Sequence, residues 1–310
     1  MLSYLLAATA VFTASATAQG CGIDHDPGYH GPFSISSGGK TRYYKVQVPS
    51  TYNANFMHTL IFDYHGHNDT PDDQHDNSMY QNYDAASHYL IIYPQGINNA
   101  WQGAPYAEPD VNSGKLDLQF TAGLLEHIKQ NYCIDSNRVY ASGKSNGGGF
   151  VDTLACSDIG DQLAAFAMAS AALYAETSEG SCTKKRAILE SHGDGDDVIR
   201  YGAGLSKGGG DTPNIGEWVR WWGERNCGAS APSSTNDDNG YNVTTFSCNG
   251  LDDVVTHYRF DTLGHCWPNS EGDNYDAQKQ PKHCGDVRVL DFTPVVLAWF
   301  GRWTLQNAPH

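Results

Sequence analysis

The chain has 310 residues, with 40% apolar and 17% charged side chains, 33 Gly and 13 Pro. That balance is globular rather than low-complexity and can fill one large domain. Nineteen Lys and Arg face 35 Asp and Glu, a net charge of −16 with no basic run, so such a surface repels nucleic acid and no nucleic-acid partner is expected.

Met1 to Ala18 (MLSYLLAATAVFTASATA) has no charged side chain, an apolar stretch from Leu5 to Phe12 and a small-residue Ala-Thr-Ala ending. This pattern predicts a secretory signal, with a mature protein starting near Gln19. It is too short and too rich in Ser, Thr and Ala for a membrane span. No later segment is a transmembrane candidate, so no membrane association is expected.

Tyr43 to Val48 alternates as a half-buried strand does. Thr59 to Tyr64 and Tyr89 to Tyr93 are short apolar runs that read as buried strands. Leu116, Phe120, Leu124, Leu125 and Ile128 share one face at helical spacing. Arg138 to Ser142 reads as a strand feeding a Gly-rich turn, and Val151 to Cys156 as part of the helix after it. Ala164 to Ser170 and Ala187 to Ser191 read as further buried strands. Trp218, Trp221, Trp222 and Arg225 suit a helix. Ser230 to Asn249 reads as a polar excursion loop, Val254 to Phe260 as a strand and Pro294 to Trp303 as a closing helix. Strands alternating with helices predict an α/β fold, a mostly parallel central sheet covered by helices on both faces. Residues 19–310 are expected to form one domain.

Eight cysteines follow the leader: Cys21, Cys133, Cys156, Cys182, Cys227, Cys248, Cys266 and Cys284. In an exported chain an even number predicts four disulfides, and eight cysteines allow about a hundred pairings. Nearness in sequence suggests Cys266–Cys284 and Cys227–Cys248. Asn68-Asp69-Thr70 and Asn242-Val243-Thr244 are glycosylation sequons.

The strongest chemical signal is Gly143-Lys144-Ser145-Asn146-Gly147-Gly148, a G-x-S-x-G sequence between a predicted strand and a predicted helix. In that context it marks a nucleophile elbow: a tight turn with small neighbours that projects the serine hydroxyl above the sheet edge. A serine nucleophile needs a base, and the base an orienting carboxylate, here in the chain order Ser, acid, His. His192-Gly193-Asp194-Gly195-Asp196-Asp197 follows a predicted strand. Asp194, Asp196 and Asp197 all compete for the acid. His265 lies just after the Val254 to Phe260 strand and is the candidate base. The oxyanion hole needs two main-chain N–H groups, expected from Asn146 and from His67 in the loop after Tyr64. Asp69 to Asp76 carries His and Asp without a ligand spacing, so a solvated acidic loop is expected there and no metal or cofactor. Trp101 and Trp267, in loops at the expected active end of the sheet, are candidate substrate-binding residues.

The elbow stretch Tyr140 to Phe150, with Asn131-Tyr132-Cys133-Ile134-Asp135 before it, resembles the secreted fungal feruloyl esterases. These form part of the carbohydrate esterase family 1 group, related to polyhydroxybutyrate depolymerases. Tyr93-Pro94-Gln95-Gly96, Ala100-Trp101-Gln102-Gly103, His192-Gly193-x-x-Asp196 and Gly264-His265-x-Trp267-Pro268 are similar too. The resemblance implies an α/β-hydrolase, and it selects Asp196 as the acid beside Ser145 and His265. It implies a serine carboxylesterase acting through an acyl-enzyme, without a cofactor, on feruloylated plant cell-wall polysaccharide or oligosaccharide, as a secreted monomer. Acetylxylan esterase and polyester depolymerase are the alternatives. The chain departs from the family pattern at Asp63-Tyr64 and around Asn112 to Lys115, both expected near the mouth of the site.

Overall fold

A computed structural model describes residues 19–174, 181–228, 233–237, 240–285 and 289–310. The leader expected at Met1 to Ala18 lies outside these residues. The strands are β1 (Gly28–Ser37), β2 (Lys40–Val48), β3 (His58–Tyr64), β4 (Tyr89–Pro94), β5 (Ile134–Lys144), β6 (Ala165–Ala169) and β7 (Ile188–Gly193). There follow the short β8 (Gly204–Leu205) and β9 (Asp211–Thr212), then β10 (Ser233–Asp237), β11 (Tyr241–Cys248) and β12 (Leu251–Phe260). Helices are α1 (Pro71–Ser78), α2 (Pro109–Gly114), α3 (Leu116–Asn131), α4 (Asn146–Ala155), α5 (Ile215–Cys227), α6 (Tyr275–Lys279), α7 (Pro281–Cys284) and α8 (Phe292–Arg302).

Among the described residues, ten strands make one sheet in the order β1-β2-β4-β3-β5-β6-β7-β12-β11-β10. The centre, from β4 to β12, is parallel, and antiparallel strands extend it at both edges. Strands β3, β4, β6 and β7 are buried at every position, so both faces of the sheet are covered, as their largely apolar sequences require; the polar exceptions include Asp63 in β3 and Glu190 and His192 in β7. On α3, Phe120, Leu124, Leu125 and Ile128 are fully buried, and each apolar side chain contributes about 2 kcal/mol by leaving water. Among the described residues no helix is long and apolar enough to cross a membrane.

Two readings of local structure are corrected. The stretch from Ser230 to Asn249 is not an excursion loop: β10 and β11 lie within it and extend the sheet. The β11–β12 turn is Asn249-Gly250, with φ of 51° and 80°, the pair of positive angles that an Asn-Gly hairpin supplies. The acidic stretch after Asp69 is a helix, α1. Thr70 caps it by accepting from the Asp73 N–H while Asp73 accepts from the Thr70 N–H, and Pro71 opens the first turn.

Four disulfides join Cys21–Cys133, Cys156–Cys182, Cys227–Cys248 and Cys266–Cys284, including both pairs expected from nearness in sequence. Of the two sequons, Asn68 is exposed in a loop with φ of 67°, and Asn242 lies in β11.

Candidate active site

The register of the sheet brings the loops together. Tyr64 at the end of β3 pairs with Gly143 of β5, and Gly193 at the end of β7 pairs with Phe260 of β12. The loops that leave these strands therefore emerge side by side at one carboxyl edge, where open α/β sheets bind ligands.

Ser145 sits between β5 and α4 with φ of 56° and ψ of −122°, a conformation costly for a residue with a side chain. Its N–H donates to the Ala169 carbonyl at 3.0 Å, and its own carbonyl accepts from the N–H groups of Gly149 and Ala172. These bonds hold the strain in place. A Cβ on Gly147 would come within 2.1 Å of the Tyr64 carbonyl oxygen, so only glycine lets α4 leave the turn that close to β3.

Ser145 Oγ donates to His265 Nε2 at 2.8 Å, and His265 Nδ1 donates to Asp196 Oδ2 at 2.8 Å. All three side chains are buried. Asp196 Oδ1 accepts from the N–H groups of Val198 and Ile199. Burial raises the pKa of Asp196, but His265 and His192 outweigh it and hold the carboxyl well below its usual range. Burial pushes the His265 imidazole down; Asp196 opposes this and the Lys144 ammonium adds to it. Of the other two candidate acids, Asp194 pairs with Arg259. Asp197 is exposed and pairs with Lys207 and His283.

The His265 loop is anchored from several sides. Gly264 N–H donates to the Cys284 carbonyl at 2.8 Å, and Cys266 is bonded to Cys284. Trp267 N–H donates to Asp276 Oδ2 at 2.8 Å, while Asp276 Oδ1 accepts from Lys144 Nζ at 3.1 Å. Lys144, the residue before Ser145, thus ties the elbow to the histidine loop through a buried ion pair.

Asn146 opens α4, with its N–H at the positive end of the helix. Its side chain is fixed by the Trp101 N–H, which donates to Oδ1 at 2.7 Å. Across from it, a Cβ built on Gly66 would lie 3.5 Å from Ser145 Cβ, which places the loop leading to His67 beside the serine. His67 lines the cleft.

That cleft holds about 260 Å³. Beside Ser145 and His265 it presents Tyr106, Tyr174, Lys207 and the buried Asp69. Burial raises the Asp69 carboxyl to about 6, against the pull of Lys144. His67 stacks on Tyr106 with ring centres 3.9 Å apart, and the Tyr174 hydroxyl donates to that of Tyr106 at 3.3 Å.

The two candidate substrate-binding tryptophans are elsewhere. Trp101 is fully buried, stacked on Phe150, with its indole N–H on the His65 carbonyl. Trp267 is 1% exposed and donates to Thr293 Oγ1. Both pack the scaffold beneath the loops, because their indole N–H groups find internal acceptors. Asp63 is not at the mouth either. It lies under the sheet edge, accepting from Ser142, Ser78 and Gln74.

No protein-family profile matches the chain. Feruloyl esterase D of Neurospora crassa is 27% identical over 214 residues, which cover 66% of this chain and 70% of that protein. A bifunctional acetylxylan esterase/xylanase of Neocallimastix patriciarum is 30% identical over 163 residues, 53% of this chain and 22% of that protein. Among solved structures, an acetyl xylan esterase from Aspergillus awamori superposes with a TM-score of 0.53 at 15% identity, covering 84% of this chain and 94% of that one. The last likeness carries the fold. The parallel sheet and the elbow between β5 and α4 give the chain the α/β-hydrolase fold, and in sequence it is similar to the fungal feruloyl esterases.

Proposed function

We propose that the chain is a serine carboxylesterase that releases ferulic or related hydroxycinnamic acids from plant cell-wall arabinoxylan, with Ser145, His265 and Asp196 as its triad. The single observation that supports the triad is the unbroken run of two 2.8 Å hydrogen bonds from Ser145 Oγ to Asp196, opening into the cleft. His265 Nε2 takes the serine proton as Oγ attacks the ester carbonyl, and gives it to the leaving alcohol. Asp196 keeps the imidazole in the tautomer that accepts at Nε2 and stabilises the imidazolium. The N–H groups of Asn146 and His67 receive the oxyanion. Water, deprotonated by the same imidazole, then cleaves the acyl-enzyme.

The acyl specificity rests on the aromatic wall. Tyr106, Tyr174 and His67 pack against one another and line the cleft beside Ser145, an aromatic surface of the kind against which a cinnamoyl ring packs. The similarity to a feruloyl esterase and to an acetylxylan esterase/xylanase supports the same substrate class. In this reading the chain is exported, cleaved after Ala18, and works as a monomer without cofactor or nucleic-acid partner.

Methyl ferulate, methyl sinapate, an aryl acetate and a short polyester, assayed side by side, test the proposal. Methyl ferulate is expected to give the highest kcat/KM. Ser145→Ala should lower the rate by a factor on the order of 10⁴–10⁶ and abolish organophosphonate labelling. Faster turnover of acetylated xylan than of feruloylated arabinoxylan would replace the feruloyl assignment by acetylxylan esterase.

A further inference from the structure

A buried polar chain continues inward from Asp196. His192 Nε2 lies 2.8 Å from the Ile199 carbonyl oxygen and 3.4 Å from Asp196 Oδ2. Its Nδ1 lies 3.0 Å from Glu190 Oε1. Glu190 Oε2 is in turn 2.7 Å from His257 Nδ1, and His257 Nε2 is 3.0 Å from the Tyr201 hydroxyl. Glu190 and His192 are completely buried, and His257 and Asp196 nearly so.

Both ring nitrogens of His192 therefore face oxygens of acceptor type: a carboxylate on one side, a carbonyl and a second carboxylate on the other. A neutral imidazole has one N–H and can satisfy only one side. His257 is different, because a tyrosine hydroxyl can donate to its second nitrogen. We propose that His192 is a permanently charged imidazolium and a positioning residue, fixing the charge and orientation of Asp196 for the triad proposed above, on which this inference rests.

The charge balance supports it. Glu190 and Asp196 are two buried carboxylates separated by one imidazole, and without a cation between them one would take up a proton. Burial would push the His192 pKa down, but Asp196 and Glu190 raise it to about 10. The remaining charged groups nearby are committed elsewhere. Arg259 stacks on Tyr201 and pairs with Asp194. Lys144 pairs with Asp276.

His192 and His265 then share one carboxylate. A fixed charge on the first opposes protonation of the second and keeps the base neutral at lower pH. Replacing His192 by Gln should raise the pKa of His265 and move the acid limb of kcat/KM upward by about 0.5–1 pH unit. Glu190→Gln removes the reason for the charge and should produce the same shift. The double variant should shift no further than the larger single one, since both act on one link.

The direct test is nitrogen-15 NMR of the histidine rings at pH 7.5, on the wild type and on Ser145→Ala. His192 is expected to carry two protonated nitrogens in both. One protonated nitrogen overturns the proposal, as does an acid limb unmoved in both folded single variants. A purely structural role would lower stability and kcat without moving that limb. If Ser145→Ala keeps full esterase activity the triad reading fails, while the nitrogen count still decides the charge of His192.

Discussion

Asp196 reaches His265 with one carboxylate oxygen and is braced through the other by the main chain of Val198 and Ile199. The brace leaves the carboxylate no rotational freedom, so chemistry and loop geometry are fixed together. Asp196→Asn keeps both main-chain contacts but presents the histidine with the wrong partner. It should cost on the order of 10⁴ in kcat, together with a loss of thermal stability at neutral pH, because the fold favours the ionised carboxylate. Asp197→Asn should cost less than about threefold, since that residue is exposed and its partners Lys207 and His283 are too. Steady-state kinetics of the two variants decide the assignment; a larger loss at Asp197 shifts the acid by one residue.

The pH dependence has a definite sign. The proposed base must be neutral to accept the serine proton, and burial lowers the His265 pKa from its ordinary value. The acid limb of kcat/KM should therefore have its midpoint below about 6.5. A midpoint above 7 in the wild type would contradict this.

Acyl preference should respond to Tyr106 and not to the tryptophans. Tyr106→Ala removes the ring that faces the cleft and should lower kcat/KM for methyl ferulate about tenfold, with an aryl acetate changed little. Trp101→Ala opens a cavity in the scaffold instead. It should cost roughly 3–5 kcal/mol of stability and affect both esters alike. Comparing the ratio of the two substrates in each variant separates recognition from packing.

Cys266 adjoins the proposed base, and its bond to Cys284 closes a short loop. Replacing both cysteines by Ala should cost about 3 kcal/mol by loop entropy, roughly 5–10 °C in Tm. The histidine loop keeps its contacts to Cys284 and Asp276 main-chain and side-chain groups. Hence kcat at 25 °C should fall less than tenfold. A collapse of kcat with Tm unchanged would reverse that account.

Asp152 on α4 is fully buried. One oxygen accepts from the indole N–H groups of Trp218 and Trp222, and the other accepts no hydrogen bond among the described residues. Burial raises its pKa to about 7. A raised folded-state pKa stabilises the protein below about pH 4 and loses that contribution as pH rises to about 7. Asp152→Asn keeps the oxygen that accepts from both indoles and cannot ionise. Its Tm relative to wild type should therefore rise between pH 5 and pH 8, by the equivalent of a few kcal/mol. A constant difference across that range would show that Asp152 does not titrate there.

The buried parallel strands and α3 were legible because their apolar runs and helical spacing have no other use. Ser145 and His265 were legible from local context, a Gly-rich turn after one strand and a histidine after another. Among the aspartates of the loop after β7, composition offers no choice. The His192-Gly193-x-x-Asp196 resemblance singled out Asp196, and the physical reason shows only in three dimensions: Asp196 is turned inward, Asp194 and Asp197 to surface cations. The hairpin at Asn249-Gly250 carried a readable turn signal that the polar composition around it obscured. The cleft wall was not legible: Tyr106 and Tyr174 lie far apart in the chain and acquire a shared role only when folding brings them together. Trp101 and Trp267 were misplaced for the opposite reason. They sit in the loops that form the site, but large rings with internal N–H acceptors are drawn under those loops.

Glycines set the room for change around the cleft. A side chain grown at Gly147 would strike the main chain of β3, and one grown at Gly208 or Gly210 would come within 2.6 Å of the Tyr106 ring or 2.2 Å of the Tyr174 ring. The first obstacle is backbone and cannot yield, while the other two are side chains of the cleft wall. Any residue but glycine at Gly208 or Gly210 must therefore displace a wall ring, so change at these positions is felt directly in the shape of the cleft, and the elbow is shielded from it.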